Sequence, residues 1–244
     1  MRARPLALTA TAALAAAAVV ASVLFPLSLA MTLADVPIEG RPSGRVWSGR
    51  IDGASVRGID LGTLRLRPRL LPLLAGRLDA EVSLDGPAGE AAGTVTAVGE
   101  TLTVRDWNGR VALATLDAVD PFGHPLRGTA VIAASDAVLT ARGCQSGTVS
   151  VTTDALRRAA EASSGLLPAP ALSGSGTCRN GVLSLPLKGE APEGVVTADL
   201  RLSADGYVAE FTVVPRDRRS GPLLARYGFQ RTPAGYSFIV QGGY

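Results

Sequence analysis

The stretch from Val196 to Val213 reads VTADLRLSADGYVAEFTV, and its reading decides the fold. Val196, Ala198, Leu200 and Leu202 alternate with Thr197, Asp199, Arg201 and Ser203. Beyond Asp205-Gly206, Tyr207, Ala209, Phe211 and Val213 fall on one side, with Val208, Glu210 and Thr212 on the other. A helix would gather every third or fourth residue onto one face. A period of two belongs instead to an antiparallel strand with one apolar face and one polar face. Asp and Gly tolerate positive φ, so Asp205-Gly206 predicts a two-residue hairpin turn between two such strands.

The pattern recurs outward from this hairpin. Leu78, Ala80, Val82 and Leu84 alternate with Asp79, Glu81, Ser83 and Asp85. Asn180-Gly181 predicts a second two-residue turn, and Asn108-Gly109, Asp85-Gly86 and Asp52-Gly53 are further turn candidates. The expectation is an all-β chain of about a dozen strands in meander order, forming an extended, curved antiparallel sheet or a sandwich. Three short helical patches interrupt it. The clearest runs from Asp154 to Ser164, with Asp154 as N-cap and Gly165 as stop. Arg69–Gly76 and Gly221–Tyr227 are the others.

Composition agrees with a folded chain. Of 244 residues 47% are hydrophobic, 18% charged and 5% aromatic, which is too apolar and too weakly charged for general disorder. One run, from Leu6 to Met31, carries no charge and exceeds the roughly 20 residues that a bilayer core requires. A helix is the single-segment solution there, because hydrocarbon satisfies no backbone group. Arg2 and Arg4 precede the run, and the next basic residue is Arg41, so the positive-inside rule keeps 1–5 in the cytoplasm and exports the remainder. The competing reading is a signal peptide with Ser28-Leu29-Ala30 as its cleavage site, although the run is longer than a usual signal core. Both readings export the rest. The expected organisation is a tail (1–5), an anchor (6–31), a Pro/Gly linker (32–43) and a β-rich domain (44–244), with divisions into halves considered near 117–125 or 164–176.

Outside the anchor, 22 of the 24 basic residues face all 21 acidic ones, a balance of +1. Arg105, Asp106, Asp199 and Arg201 show both signs mixed along strands, and no basic face is concentrated enough to expect nucleic acid as a partner. Two cysteines, Cys144 and Cys178, in an exported chain predict one disulfide, with two unpaired buried thiols as the alternative. Their surroundings nearly repeat, CQSGTVSV against CRNGVLSL. Each copy reads as a cysteine leading through a two-residue turn into a strand, which would put the thiols at equivalent places.

Two thiols and the single His124 cannot supply a tetrahedral metal site, and no cofactor is expected. His124 lies between Gly123 and Pro125 and reads as a turn residue. The sequence lacks a nucleophile elbow, a zinc-protease helix, a thiol redox pair and a phosphate loop. Its acids are scattered without a glycosidase-like pair. A non-enzymatic protein is expected.

One block stands apart: Gly44-Arg45-Val46-Trp47-Ser48-Gly49-Arg50. Read as a strand, Val46 and Ser48 share one face and Trp47 takes the other, while the glycines let the backbone bend or approach a neighbour. Val46, Trp47, Ser48 and Arg50 are candidate interface residues; the alternative is an ordinary first strand with a buried Trp.

An apolar anchor followed by this G-x-V-W-S-G-R block resembles the type II secretion system protein N family. The likeness continues through Leu64-Arg65-Leu66-Arg67-Pro68, Leu71, Leu73-Leu74 and Gly76-Arg77-Leu78. It resumes at Asn180-Gly181-Val182-Leu183, Leu200–Leu202, Asp205-Gly206-Tyr207 and the Gly228–Gly242 ending. The resemblance implies a bitopic inner-membrane protein with a periplasmic β-rich domain, accessory to the export of folded proteins across the outer membrane. It implies as partners the inner-membrane connector subunit and the outer-membrane secretin, with inner-membrane lipid around the anchor, and it implies no catalytic residue. A rival expectation is an anchored lipid-binding or lipid-transfer module using an apolar groove of a curved sheet, because alternation does not reveal what covers the apolar face. A structural envelope protein without a dedicated partner is the third.

Overall fold

The computed structural model describes residues 27, 38–56, 58–73, 75–115, 127–162 and 169–243. Apart from Leu27, the expected anchor over 6–31 lies outside the described residues, as do His124, Gly165 and the division considered near 117–125. Among the described residues no helix is long and apolar enough to cross a membrane.

Alternation builds fourteen strands. The first six are β1 (Glu39–Arg45), β2 (Ser48–Val56), β3 (Ile59–Arg69), β4 (Leu78–Gly86), β5 (Gly89–Val98) and β6 (Thr101–Ala112). There follow β7 (Thr129–Thr140), β8 (Gly143–Thr153), β9 (Leu172–Arg179) and β10 (Val182–Ala191). The last four are β11 (Gly194–Leu202), β12 (Gly206–Pro215), β13 (Gln230–Thr232) and β14 (Gly235–Gly243). They form one antiparallel sheet in chain order, except that β14 joins β12 and β13 lies outside it. The described residues are therefore all-β with a few short helices, and their strands form one open sheet, not a sandwich. The sheet crosses both divisions considered from the sequence, since β6 pairs with β7 and β8 with β9. β1 begins at Glu39, so strand pairing occupies residues expected to be linker.

The turns refine the expectation. Asn180-Gly181 is a two-residue turn with φ of 52° and 85°, the positive values that a type I′ hairpin requires. Elsewhere the glycine flanks the turn and belongs to a strand. Ser203 N–H donates to the Gly206 carbonyl at 2.9 Å, so the loop pair is Ala204-Asp205 and Gly206 already belongs to β12. Likewise β4 continues through Gly86, and Pro87-Ala88 make the turn.

Asp52-Gly53 and Asn108-Gly109 are not turns at all. They lie inside β2 and β6, where the register shifts between Ile51 and Ala54 and across Ala92/Thr94. Gly53 (φ 61°) and Asp106 (φ 50°) carry these bulges. The residue types that tolerate positive φ in a turn tolerate it in a bulge, which bends the strand and increases its twist.

One row of partners shows how the two faces separate. It runs Ile51, Leu64, Leu84, Ala91, Gly109, Ile132, Val151, and after Gly174 resumes through Leu187, Ala198, Phe211 and Phe238. Three residues away along β3, the row Arg67, Glu81, Thr94, Arg105 lies on the opposite, polar face. The apolar face is covered at two places. Leu27, Ile51, Ala54 and Leu64 form one core cluster, with Val82 and Leu84 packed against it. The second contains Leu172, Leu185, Leu187, Val196, Ala198, Val213 and Leu224.

Helices α1 (Leu70–Leu73), α2 (Ala155–Ala162) and α3 (Gly221–Arg226) fall within the three expected patches. Leu156 of α2 and Leu224 of α3 pack into the second cluster. The Asp154 side chain does not cap its own helix. Its Oδ1 accepts the Thr129 N–H at 2.7 Å and its Oδ2 pairs with Arg157 and Arg158 at 3.3 Å each, while Thr153 Oγ1 accepts the Ala155 N–H.

Candidate functional site

The Gly44–Arg50 block forms the tip of the first hairpin. Arg45 pairs with Ser48, which leaves Val46-Trp47 as the two loop residues. Trp47 is half-buried at that turn, so the expected first strand with a buried Trp and a Val46/Ser48 face is corrected. Neither Val nor Trp is a turn former, and the alternation rule had no means of placing a turn there. Ser48 opens β2 and is exposed; Arg50 lies on the polar face with its Nε 2.6 Å from Asp52 Oδ1. Gly49 is buried because Leu27 fills its side-chain space: a Cβ built there would lie 2.6 Å from Leu27 Cδ2. A residue of the apolar run thus meets the block that follows it.

A second tryptophan, passed over in the sequence, marks the apolar face. Trp107 follows the Asp106 bulge and packs over Gly93, where an added Cβ would come within 2.9 Å of the ring. Around it Val95, Leu102, Val104, Val111, Ile132 and Leu139 are half-buried. They belong to neither core cluster. The middle strands therefore present an apolar strip between two covered ends. The signal for it was the pairing of Gly93 with an aromatic neighbour, which a one-dimensional reading does not show.

The polar face of β3–β6 holds a shallow cavity of about 540 Å³ lined by Arg65, Arg67, Glu81, Ser83, Thr94 and Asn108 among others. Arg69 pairs with Glu81 at 2.8 Å and Arg77 with the buried Asp79 at 3.0 Å. Thr96 stands opposite Asp79. Neither Asp79 Oδ1 nor Thr96 Oγ1 completes a hydrogen bond of standard geometry, yet the hydroxyl is the largest influence lowering the Asp79 pKa, opposed by burial and reinforced by Arg77.

Glu81 and Glu190 are lowered by Arg69 and Lys188, Asp217 by Arg219, and Asp154 by the Thr129 N–H. All five shifts run downward, away from neutrality, as in structural ion pairs; a general acid or base working near pH 7 needs the opposite direction. Among the described residues no three His, Cys, Asp or Glu side chains are placed to hold a metal ion.

The sheet has two edges of different character. β1, with the sequence EGRPSGR, carries Pro42 and two arginines, devices that discourage further pairing. At the other end β13 pairs only with Gly235–Ser237 of β14. From Ile239 to Gly243 the outer side of β14 meets no strand among the described residues, and Ile239 is 60% exposed. This edge carries neither charge nor proline.

Cys144 and Cys178 form the expected disulfide, with Cα atoms 5.3 Å apart. The near-repeat around them is not structural. Cys144 follows the turn into β8, whereas Cys178 precedes the Asn180-Gly181 turn, and the thiols meet because β8 and β9 are antiparallel neighbours. Among curated proteins and among solved structures, none matches the chain. The family model described as type II secretion system (T2SS), protein N matches residues 40–238, a span that reaches from β1 into β14, and the chain belongs to that family.

Proposed function

We propose that this protein is a non-enzymatic accessory component of the type II secretion system. In this reading the Leu6–Met31 run holds it in the inner membrane and the sheet works in the periplasm. The observation that carries the proposal is the family match across nearly the whole sheet. Anchoring confines the sheet to the membrane plane and raises its effective concentration near other anchored subunits. The β14 edge from Ile239 to Gly243 then accepts an extended segment of a secretion subunit by strand addition, in which backbone hydrogen bonds supply affinity and alternate side chains supply selectivity. The inner-membrane connector and the outer-membrane secretin are the proposed partners, and Val46, Trp47, Ser48 and Arg50 form a second proposed contact.

A photo-crosslinking residue placed at Ile239, in cells that carry the secretion system, should yield adducts with a secretion subunit, while one at Val131 on the polar face should not. Adducts at neither position, together with unimpaired secretion after deletion of the protein, would overturn the proposal.

One observation favours a second reading. The half-buried strip around Trp107 is apolar and belongs to neither core cluster, so lipid binding on the apolar face is the alternative. Mass spectrometry of lipid co-purified with the detergent-extracted protein decides between them, with stoichiometric lipid lost on Val104→Asp supporting the alternative.

A further inference from the structure

α1 buries none of its residues. Leu70, Leu71 and Leu73 are 50%, 81% and 37% exposed. At the same end of the sheet Leu78 opens β4 at 43% and Val98 closes β5 at 51%. Five large apolar side chains thus crowd one rim instead of being scattered singly, a distribution that marks a contact surface. The rim continues to the Val46-Trp47 turn, because β3, which leads into α1, pairs through Leu66 with Gly49. Leu27, from the apolar run, packs on that same Gly49. Arg45, Arg69 and Arg77 surround the patch and are exposed, Arg69 and Arg77 even while paired with Glu81 and Asp79; Glu100, in the β5–β6 turn, is a further acid beside it.

We infer that this rim, with α1 as its tip, sits in the bilayer surface beside the anchor. The inference rests on the proposed inner-membrane anchoring and adds a second point of contact to it. The chemistry fits one occupant. Leucines enter the boundary between headgroups and acyl chains, and an amphipathic Trp belongs at the headgroup level. Arginines keep their stems on apolar surface while their guanidinium groups meet lipid phosphates. A partner protein would have to cover the same leucines where the anchor already brings lipid. Two contacts fix the orientation of the sheet, which a single flexible tether would leave free.

The test uses the full chain reconstituted in vesicles of phosphatidylethanolamine and phosphatidylglycerol. The native cysteines are joined, so Leu71→Cys and Val214→Cys each add one thiol for an environment-sensitive fluorophore. Val214, at the opposite end of β12, is 46% exposed. Lipids carrying a quencher on the acyl chain should quench the label at 71 several-fold more than the label at 214, and emission at 71 should shift to the blue. Equal quenching at both positions, or water-like emission at 71, would overturn the inference. Alkaline extraction of the same vesicles separates this from failure of the anchor. Protein that stays with the lipid but shows water at 71 keeps the anchor and loses the rim contact; protein released by alkali loses both.

Discussion

Asp154 shows how one side chain joins two distant parts of the chain. Its carboxylate is largely shielded and accepts the Thr129 N–H at the start of β7 while holding Arg157 and Arg158. The Thr129 hydrogen bond is the largest influence lowering its pKa. Asp154→Ala leaves that amide without its acceptor and should cost about 1–3 kcal/mol in urea unfolding. Because the folded pKa lies below the unfolded value, the contribution is complete above the unfolded carboxyl pKa and is lost as the pH falls through the folded one. The wild type should therefore lose stability on acidification below about pH 4, and Asp154→Ala should lose less over that window. The sequence marks Asp154 as special for a different reason, as a helix cap. The residue type is right, but the partner lies 25 positions away, beyond any local rule.

At the scale of elements, α3 and the β8–β9 pair carry separate expectations. Leu224 is 1% exposed and seats α3 on the sheet beside Val196 and Val213. Leu224→Ala should cost about 2–5 kcal/mol in the thermal or urea unfolding of the C-terminal strands. Reduction of the Cys144–Cys178 disulfide, or Cys178→Ser, frees a 34-residue separation and should cost about 3–4 kcal/mol on the chain-entropy account, read as a lower urea midpoint.

Strands and helical patches were legible because their period, two or about 3.6, is a local property. Turns were less so. Asp52-Gly53 and Asn108-Gly109 carry turn chemistry yet form or flank bulges, while Val46-Trp47 turns without it. What decides is the length of the partner strand, and a strand's partner is not written beside it.

Across the molecule, the two core clusters leave β5–β7 with only partial cover. Amide exchange should be slowest in β9–β12 and measurably faster in β5–β7, in mass-spectrometric labelling of the purified chain; uniform protection would contradict this division. Alternation predicted the apolar face but not that a single sheet would carry it, since a sandwich has the same pattern with its faces closed on each other. The exposed apolar rim was hidden for a similar reason. The sequence marks Arg69–Gly76 as a short helical patch, and only the fold shows that Leu70, Leu71 and Leu73 within it are exposed.

The neighbour-to-neighbour strand order also bears on how the chain reaches this shape. Apart from the pairing of β12 with β14, every strand hydrogen-bonds only to those next to it in the chain, and the disulfide likewise joins consecutive strands. No early segment waits for a late one. A polypeptide emerging amino terminus first can lay down each hairpin on the previous one, with little loop entropy to overcome and a growing edge as its exposed template.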